Sequence, residues 1–197
     1  STIYFCQQSI VLAKKLMLDL NLSLWTGLSN AVGNLAIGYR LKGDYPKAKE
    51  NYFKALDMDK QLGYKFGIGK RLVGITNVYA DMADYSKALE YGFKALEANK
   101  EINNKRAIAL SNSIIGNIYY KEGEYQLSLK YQLQSVSTFE QIKDLNNISA
   151  AYGEIGRLYK ELKDFCFRSG TSFFKWRTAF STKFDDRLHN KIPLLTA

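Results

Sequence analysis

Residues able to carry out catalytic chemistry are few in this sequence, and they lie far apart. His189 is the only histidine, and Cys6 and Cys166 are the only cysteines. A metal-ligand cluster or a disulfide framework needs several such residues at short spacing. The segment GIGKR at residues 67–71 lacks the upstream glycine and the following serine or threonine of a phosphate-binding loop. We therefore predict that the chain is not an enzyme and holds no metal and no cofactor. The cysteine content favours a reducing, cytoplasmic location.

The bulk composition is that of an ordinary soluble globular protein, with 46% apolar and 24% charged residues. No stretch reaches the roughly 18 consecutive apolar residues that a membrane-spanning helix requires. The net charge is +9, of which residues 166–197 contribute +4 in only 32 residues. Residues 28–165 are close to balanced, with twenty basic and sixteen acidic side chains. A nucleic-acid binder needs a continuous basic stripe, so no nucleic-acid partner is expected.

A period of forty residues is the strongest feature of the sequence. A tyrosine column recurs at Tyr39, Tyr79, Tyr119 and Tyr159. A second aromatic column reaches both ends of the chain, at Phe5, Tyr45, Tyr85, Tyr125 and Phe165. Small residues occupy two further columns, at Ala48, Ala88, Ser128, Ala55, Ala95 and Ser135. Self-similarity at a fixed period of this length indicates a solenoid built from stacked structural units.

Each forty-residue block divides into two amphipathic helices. In the first block, one helical face carries apolar residues at i, i+3, i+4 and i+7, namely Val32, Leu35, Ala36 and Tyr39. Gly43 then suits a left-handed turn, and Asp44 can cap the next helix. The second helix is predicted over about residues 45–60, with small residues where the two helices cross. A short connection at residues 62–64 leads to the next block.

These blocks resemble tetratricopeptide repeats, in the long-period form found in bacterial regulatory proteins. The resemblance rests on Leu35-Ala36 and Tyr39 in one block and on Ile115-Gly116 and Tyr119 in another. The chain departs from the family pattern because its period exceeds the consensus of about 34 residues. It departs further at three positions that the family fills with bulky or aromatic residues, which are Gly92, Gln132 and Asn112. The resemblance implies an all-α fold, a right-handed superhelical solenoid of antiparallel helix hairpins.

The repeat boundaries predict six segments. They are the second helix of a truncated repeat (1–27), three full repeats (28–67, 68–107 and 108–147), the first helix of a further repeat (148–165), and an irregular basic and aromatic segment (166–197). In that last segment, Phe173, Trp176, Phe180 and Phe184 follow helical spacing. It could cap the last repeat, act as a basic amphipathic segment for a membrane surface or a partner, or be a non-native end that interrupts the repeat.

In the family that these blocks resemble, the first helix of each repeat lines a concave wall, and asparagines on it bind peptide backbones. The resemblance therefore implies a peptide-binding site at Arg40, Asn77, Asn117, Tyr120, Arg157 and Lys160. A side-chain amide offers both a donor and an acceptor, which suits the backbone of an extended peptide. The basic side chains would favour an acidic peptide or a free carboxylate. The other interpretation is that these residues are solvated helix-surface residues.

The predicted function is that of a protein- or peptide-binding scaffold, serving as the sensory or docking module of a larger bacterial regulator. One alternative is the non-catalytic part of a signalling enzyme, a kinase or a cyclase, whose catalytic domain lies outside this chain. A nucleic-acid-binding helical repeat is a further alternative, which the balanced charge of residues 28–165 disfavours.

Overall fold

A computed structural model describes the backbone of residues 2–168 and the side chains of residues 21–164. Within this range the chain forms helices and no strand. The helices are α1 (Thr2–Leu41), α2 (Tyr45–Gln61), α3 (Lys65–Asp81), α4 (Tyr85–Glu101), α5 (Lys105–Lys121), α6 (Tyr125–Gln141) and α7 (Leu145–Arg168). Each helix packs against the helices before and after it, and α3 also contacts α1 and α5. The prediction of an all-α solenoid of helix hairpins is confirmed.

Three-residue turns join the helices, and each turn has the same design. Its middle residue adopts a positive φ, at Gly43, Gly63, Ala83, Asn103, Gly123 and Lys143. In four turns the next residue caps the following helix. Its side chain accepts a hydrogen bond from the backbone N–H of the residue three positions later. These caps are Asp44, Asp84, Asn104 and Asp144. Each cap satisfies one donor that a helix start leaves unpaired, so the turn ends one helix and begins the next.

The three capping aspartates make stability depend on pH. The hydrogen bonds from Lys47, Lys87 and Asn147 hold the pKa of Asp44, Asp84 and Asp144, respectively, below its usual range. A lowered pKa in the folded state means that these carboxylates stabilise the fold above their unfolded pKa of about 4. That contribution is lost as the pH falls through the lower folded values.

We therefore expect the triple variant Asp44→Asn, Asp84→Asn, Asp144→Asn to melt below the parent at pH 6. Asparagine caps helices about as well as aspartate but does not titrate, so the gap should close below about pH 4. Thermal unfolding followed by circular dichroism at several pH values measures this gap. A gap that stays constant from pH 6 to pH 3 would show that the charge of the caps is unimportant.

The hydrophobic core follows the repeat and falls into two clusters. One extends from α1 to α5, and its members include Tyr52, Leu72, Ile75 and Val78. The other joins α6 to α7 through Leu129, Leu133, Val136, Ala151, Ile155, Leu158 and Leu162. Both small-residue columns are buried, because a small side chain lets the helix backbones approach closely. The pairs of helices are thus packed in the order that the repeat predicts.

The first and last helices are longer than the five helices between them. Helix α1 runs without a break through residue 27, where a repeat boundary was expected. The reason is local, because Ser23 and Leu24 occupy the turn positions and supply neither a residue suited to positive φ nor a capping acceptor. Helix α7 likewise continues past residue 165 to Arg168. The aromatic residues at 173–184 lie outside the described residues.

Candidate functional site

Three successive first helices, α3, α5 and α7, line a pocket of about 340 Å³. Its wall includes four of the six residues predicted to bind peptide, namely Asn77, Asn117, Tyr120 and Arg157. The other lining residues are Ala80, Asp81, Ile114, Ile118, Lys121 and Glu154. We call this the α3–α5–α7 pocket. Its volume lies at the lower end of the range for ligand sites, enough for one or two side chains of a peptide.

The two asparagines occupy equivalent positions but have different surroundings. The Asn117 Oδ1 atom accepts a hydrogen bond of 2.7 Å from the Nε2 of Gln132, a fully buried residue of α6. At the position equivalent to Gln132, the preceding repeat has Gly92, which faces Thr76 and Ile115. Within the described residues the side chain of Asn77 has no hydrogen-bond partner. Asn77 therefore has its full amide available, whereas Asn117 has its N–H groups.

Arg40 does not line the pocket, although it was predicted as a site residue. Its Nη1 lies 2.8 Å from the Oδ2 of Asp81, in an ion pair that links α1 to α3. Both side chains are partly exposed, so the pair is worth about 1 kcal/mol or less. The carboxylate nevertheless compensates the charge of this arginine. Lys160 also lies outside the lining of the pocket and is exposed.

Arg157 and Tyr120 lie in the pocket, and both interact with acidic neighbours. Arg157 forms an ion pair with Glu154, one turn earlier on α7. Burial raises the pKa of the Tyr120 phenol, and the nearby Glu161 carboxylate raises it further. The Tyr120 hydroxyl donates a hydrogen bond to this carboxylate. Its ring packs against Tyr125 at a centroid distance of 5.6 Å.

Three charged lining residues were missed from the sequence: Asp81, Lys121 and Glu154. Asp81 lies four residues after Asn77, Lys121 four after Asn117, and Glu154 three before Arg157. These spacings place each on the same helix face as the predicted residue, so helical periodicity was the available signal. With them the pocket contains carboxylates as well as cations. Its character is mixed rather than purely basic.

The glycine-rich segment at residues 67–71 is part of the helix α3 and has a packing role. Without side chains, Gly67 and Gly69 leave room for Asp59 of α2 and Asn99 of α4, respectively. No group of potential metal ligands occurs among the described residues. Within the same part of the chain, no helix is long and apolar enough to cross a membrane.

Among known protein families and curated proteins, none matches this sequence at a significant level. Solved structures do. The chain is similar to BtubC (BKLC) from P. vanneervenii, with a TM-score of 0.63, 19% identity, and coverage of 69% of this chain and 56% of that chain. It is also similar to a signal transduction ATPase with a tetratricopeptide repeat sensor from Pyrococcus horikoshii. There the TM-score is 0.59 and the identity 17%, over 78% of this chain and 26% of that chain.

A third similar structure is a Rap protein complexed with competence and sporulation factor. Its TM-score is 0.57 and its identity 15%, over 74% of this chain and 43% of that chain. The chain spans between 26% and 56% of the length of these three structures. At these identities the likeness concerns the fold. Together with the packed helix pairs, it shows that the fold is a helical-repeat solenoid similar to those of tetratricopeptide repeat structures.

Proposed function

We propose that this chain binds a peptide segment of a partner protein in the α3–α5–α7 pocket. The observation that carries the proposal is the convergence of Asn77, Asn117, Tyr120 and Arg157, from three different helices, on one pocket. Within the described residues, Asn77 keeps its whole side-chain amide and Asn117 keeps its N–H groups without a protein partner. An extended peptide offers a C=O and an N–H at each residue, which side-chain amides can bind.

Because Arg40 and Arg157 form ion pairs within the chain, an acidic group of the partner is expected to bind another cation than the sequence predicted. Arg40 and Arg157 already have carboxylate partners, Asp81 and Glu154. Lys121 lines the pocket and has no ion-pair partner within the described residues. We propose that Lys121 binds an acidic side chain or terminal carboxylate of the peptide, and that Lys160 attracts it from the exposed face of α7. A charge-assisted hydrogen bond to Lys121 would then supplement the backbone contacts.

The proposed context is the sensory or docking module of a larger bacterial regulator in the cytoplasm, with no catalytic role for this chain. The similar Rap protein is complexed with a factor, and the similar ATPase has a tetratricopeptide sensor, which supports this context. The alternative is the non-catalytic part of a signalling enzyme, a kinase or a cyclase. It would use the same pocket and would differ in the attached domain.

The test is the double variant Asn77→Ala, Asn117→Ala. Each lost hydrogen bond costs about 0.5–1.5 kcal/mol, so binding should weaken by about tenfold. The probe is a peptide selected against the folded chain from a random-sequence library, and its affinity is measured by titration calorimetry. Far-UV circular dichroism verifies that the variant remains helical.

The matched control is Asn146→Ala, which removes an exposed amide on α7 outside the pocket. It should bind the selected peptide like the parent. If the double variant also binds like the parent, the peptide does not use this pocket and the proposal is wrong. Binding of single-stranded nucleic acid that the double variant abolishes would instead favour the nucleic-acid alternative.

A further inference from the structure

The side chain of Gln132 is held in one orientation by a backbone carbonyl. Its Nε2 lies 3.2 Å from the carbonyl oxygen of Ser113, and its Oε1 lies 3.4 Å from the Ser113 hydroxyl. A carbonyl oxygen only accepts hydrogen bonds, so the group beside it must be the N–H₂ of the glutamine. Gln132 is fully buried, and Gly116 provides the space for it, because a Cβ there would come within 3.0–3.1 Å of the glutamine side chain.

This orientation determines that of Asn117. The same Nε2 of Gln132 donates its other hydrogen to Asn117 at 2.7 Å, and two N–H₂ groups cannot bond to each other. The atom facing Gln132 must therefore be the oxygen of Asn117. The oxygen and the nitrogen are opposite branches of the amide, so the N–H₂ of this exposed side chain points away from the core, towards the pocket.

Asn77 has no such constraint. The equivalent of Gln132 beneath it is Gly92, which has no side chain to donate a hydrogen bond. The next equivalent position back is Tyr52, and the residue of that repeat equivalent to Asn77 is Ile37, which has no amide. The column of Tyr52, Gly92 and Gln132 thus differs in each repeat, and only its third member fixes a pocket amide.

We propose that Gln132 determines the hydrogen-bond polarity of the pocket. Asn117 acts as a fixed donor, so the partner must present an oxygen acceptor there, either a backbone carbonyl or a carboxylate. Asn77 can rotate its amide and accepts either a donor or an acceptor. This inference rests on the proposed function, since it assigns the chemical group that the bound peptide offers at one position. Gln132 acts through Asn117, so it is a positioning residue.

The test uses small neutral and charged probes, and it needs no peptide. N,N-dimethylacetamide and acetate only accept hydrogen bonds, and pyrrole only donates through its N–H. The side-chain amide resonances of the whole chain are followed by NMR during titration with each probe. We expect the acceptor probes to shift the Asn117 N–H₂ signals and pyrrole to leave them unchanged. Asn77 should respond to both classes. Acetate and dimethylacetamide together distinguish a preference for carboxylate from one for any carbonyl.

The decisive variant is Gln132→Met, which retains the length of the side chain and removes the donor. Asn117 should then rotate freely, so pyrrole should shift its signals as it shifts those of Asn77. A selected peptide should bind about two- to tenfold more weakly, because the amide is no longer oriented in advance. Gln134→Met, an exposed change on the same helix, should alter neither response. If Gln132→Met does not fold, Gln132→Gly tests the same point by reproducing the arrangement beneath Asn77.

Two results would overturn the inference. One is a pyrrole response at Asn117 in the parent, and the other is an unchanged response after Gln132→Met. Neither depends on peptide binding, so they are distinct from a failure of the proposed function. The opposite combination is also informative. If the Asn77 and Asn117 double variant loses peptide binding while Asn117 responds equally to donor and acceptor probes, the peptide site is supported and the proposed role of Gln132 is wrong.

Discussion

The variant Asp59→Ala is expected to lower the free energy of unfolding by about 3–5 kcal/mol. Asp59 and Arg71 form an ion pair of 3.0 Å in which both side chains are almost fully buried. Ser29 also donates to this carboxylate, and the guanidinium donates to Asn30 at 2.7 Å. Removing the carboxylate would leave a buried guanidinium without its counter-charge, and this accounts for the size of the effect.

Chemical denaturation followed by circular dichroism measures the loss. The control is Glu90→Ala, which breaks an ion pair with Lys94 that is more than half exposed, and it should leave the unfolding curve nearly unchanged. The variant Asp59→Asn with Arg71→Ser reproduces the pair found at the next junction, Asn99 and Ser111. It should be more stable than Asp59→Ala, because it leaves no unpaired charge. Equal stability of Asp59→Ala and the parent would mean that solvent reaches this pair.

The three connections between repeats use one pair of positions with three different chemistries. The α2–α3 connection has the ion pair Asp59–Arg71, and the α4–α5 connection has Asn99, which donates to Ser111 at 3.2 Å. The equivalent residues between α6 and α7 are Phe139 and Ala151, both buried. The two residues at each connection therefore match each other, because a charged residue placed opposite an apolar one would be buried without a partner. We expect this to fix the order in which the repeats stack.

The sequence predicted the repeating part of the fold well because the period appears in many columns at once. Turn residues, small crossing residues and aromatic columns all indicated paired helices between residues 28 and 147. Near the ends, a helix boundary depends on one or two residues. Ser23 and Leu24 occupy the turn positions of the repeat but provide neither a residue suited to positive φ nor a helix cap. Helix α1 therefore continues through these positions.

Four of the six predicted site residues line the α3–α5–α7 pocket, whereas the contacts between helices around them were not predicted. Asn77 and Asn117 could be found because they share one column, and helical spacing leads to their neighbours. The roles of Gln132 and Asp81 depend on contacts between helices, since Gln132 lies on α6 and Asp81 pairs with Arg40 of α1. No periodicity within one helix specifies such contacts. From sequence, Gln132 was visible only as a departure from the aromatic residue that the family pattern expects.

The variant Phe139→Ala is expected to cost about 3–5 kcal/mol, through both the lost apolar burial and the cavity left behind. Phe139 is among the largest fully buried side chains of the described residues. It lies on α6, three residues after Val136 of the cluster that joins α6 to α7. Among the described residues, α7 packs against fewer helices than the central ones do. In a solenoid each repeat is stabilised by its neighbours, so the loss should act first on α7.

Hydrogen exchange distinguishes this local effect from a general one. Amide protection should fall in α7 and at the end of α6, while that of α3 and α4 should stay close to the parent's. Because Glu154 and Arg157 lie on α7, the pocket would lose one wall, and a selected peptide should bind more weakly even where the chain remains helical. Phe66→Ala, which removes a half-exposed ring from α3, should produce neither change. A uniform loss of protection from α2 to α7 would show instead that the solenoid unfolds as one cooperative unit, with the α6–α7 junction no weaker than the others.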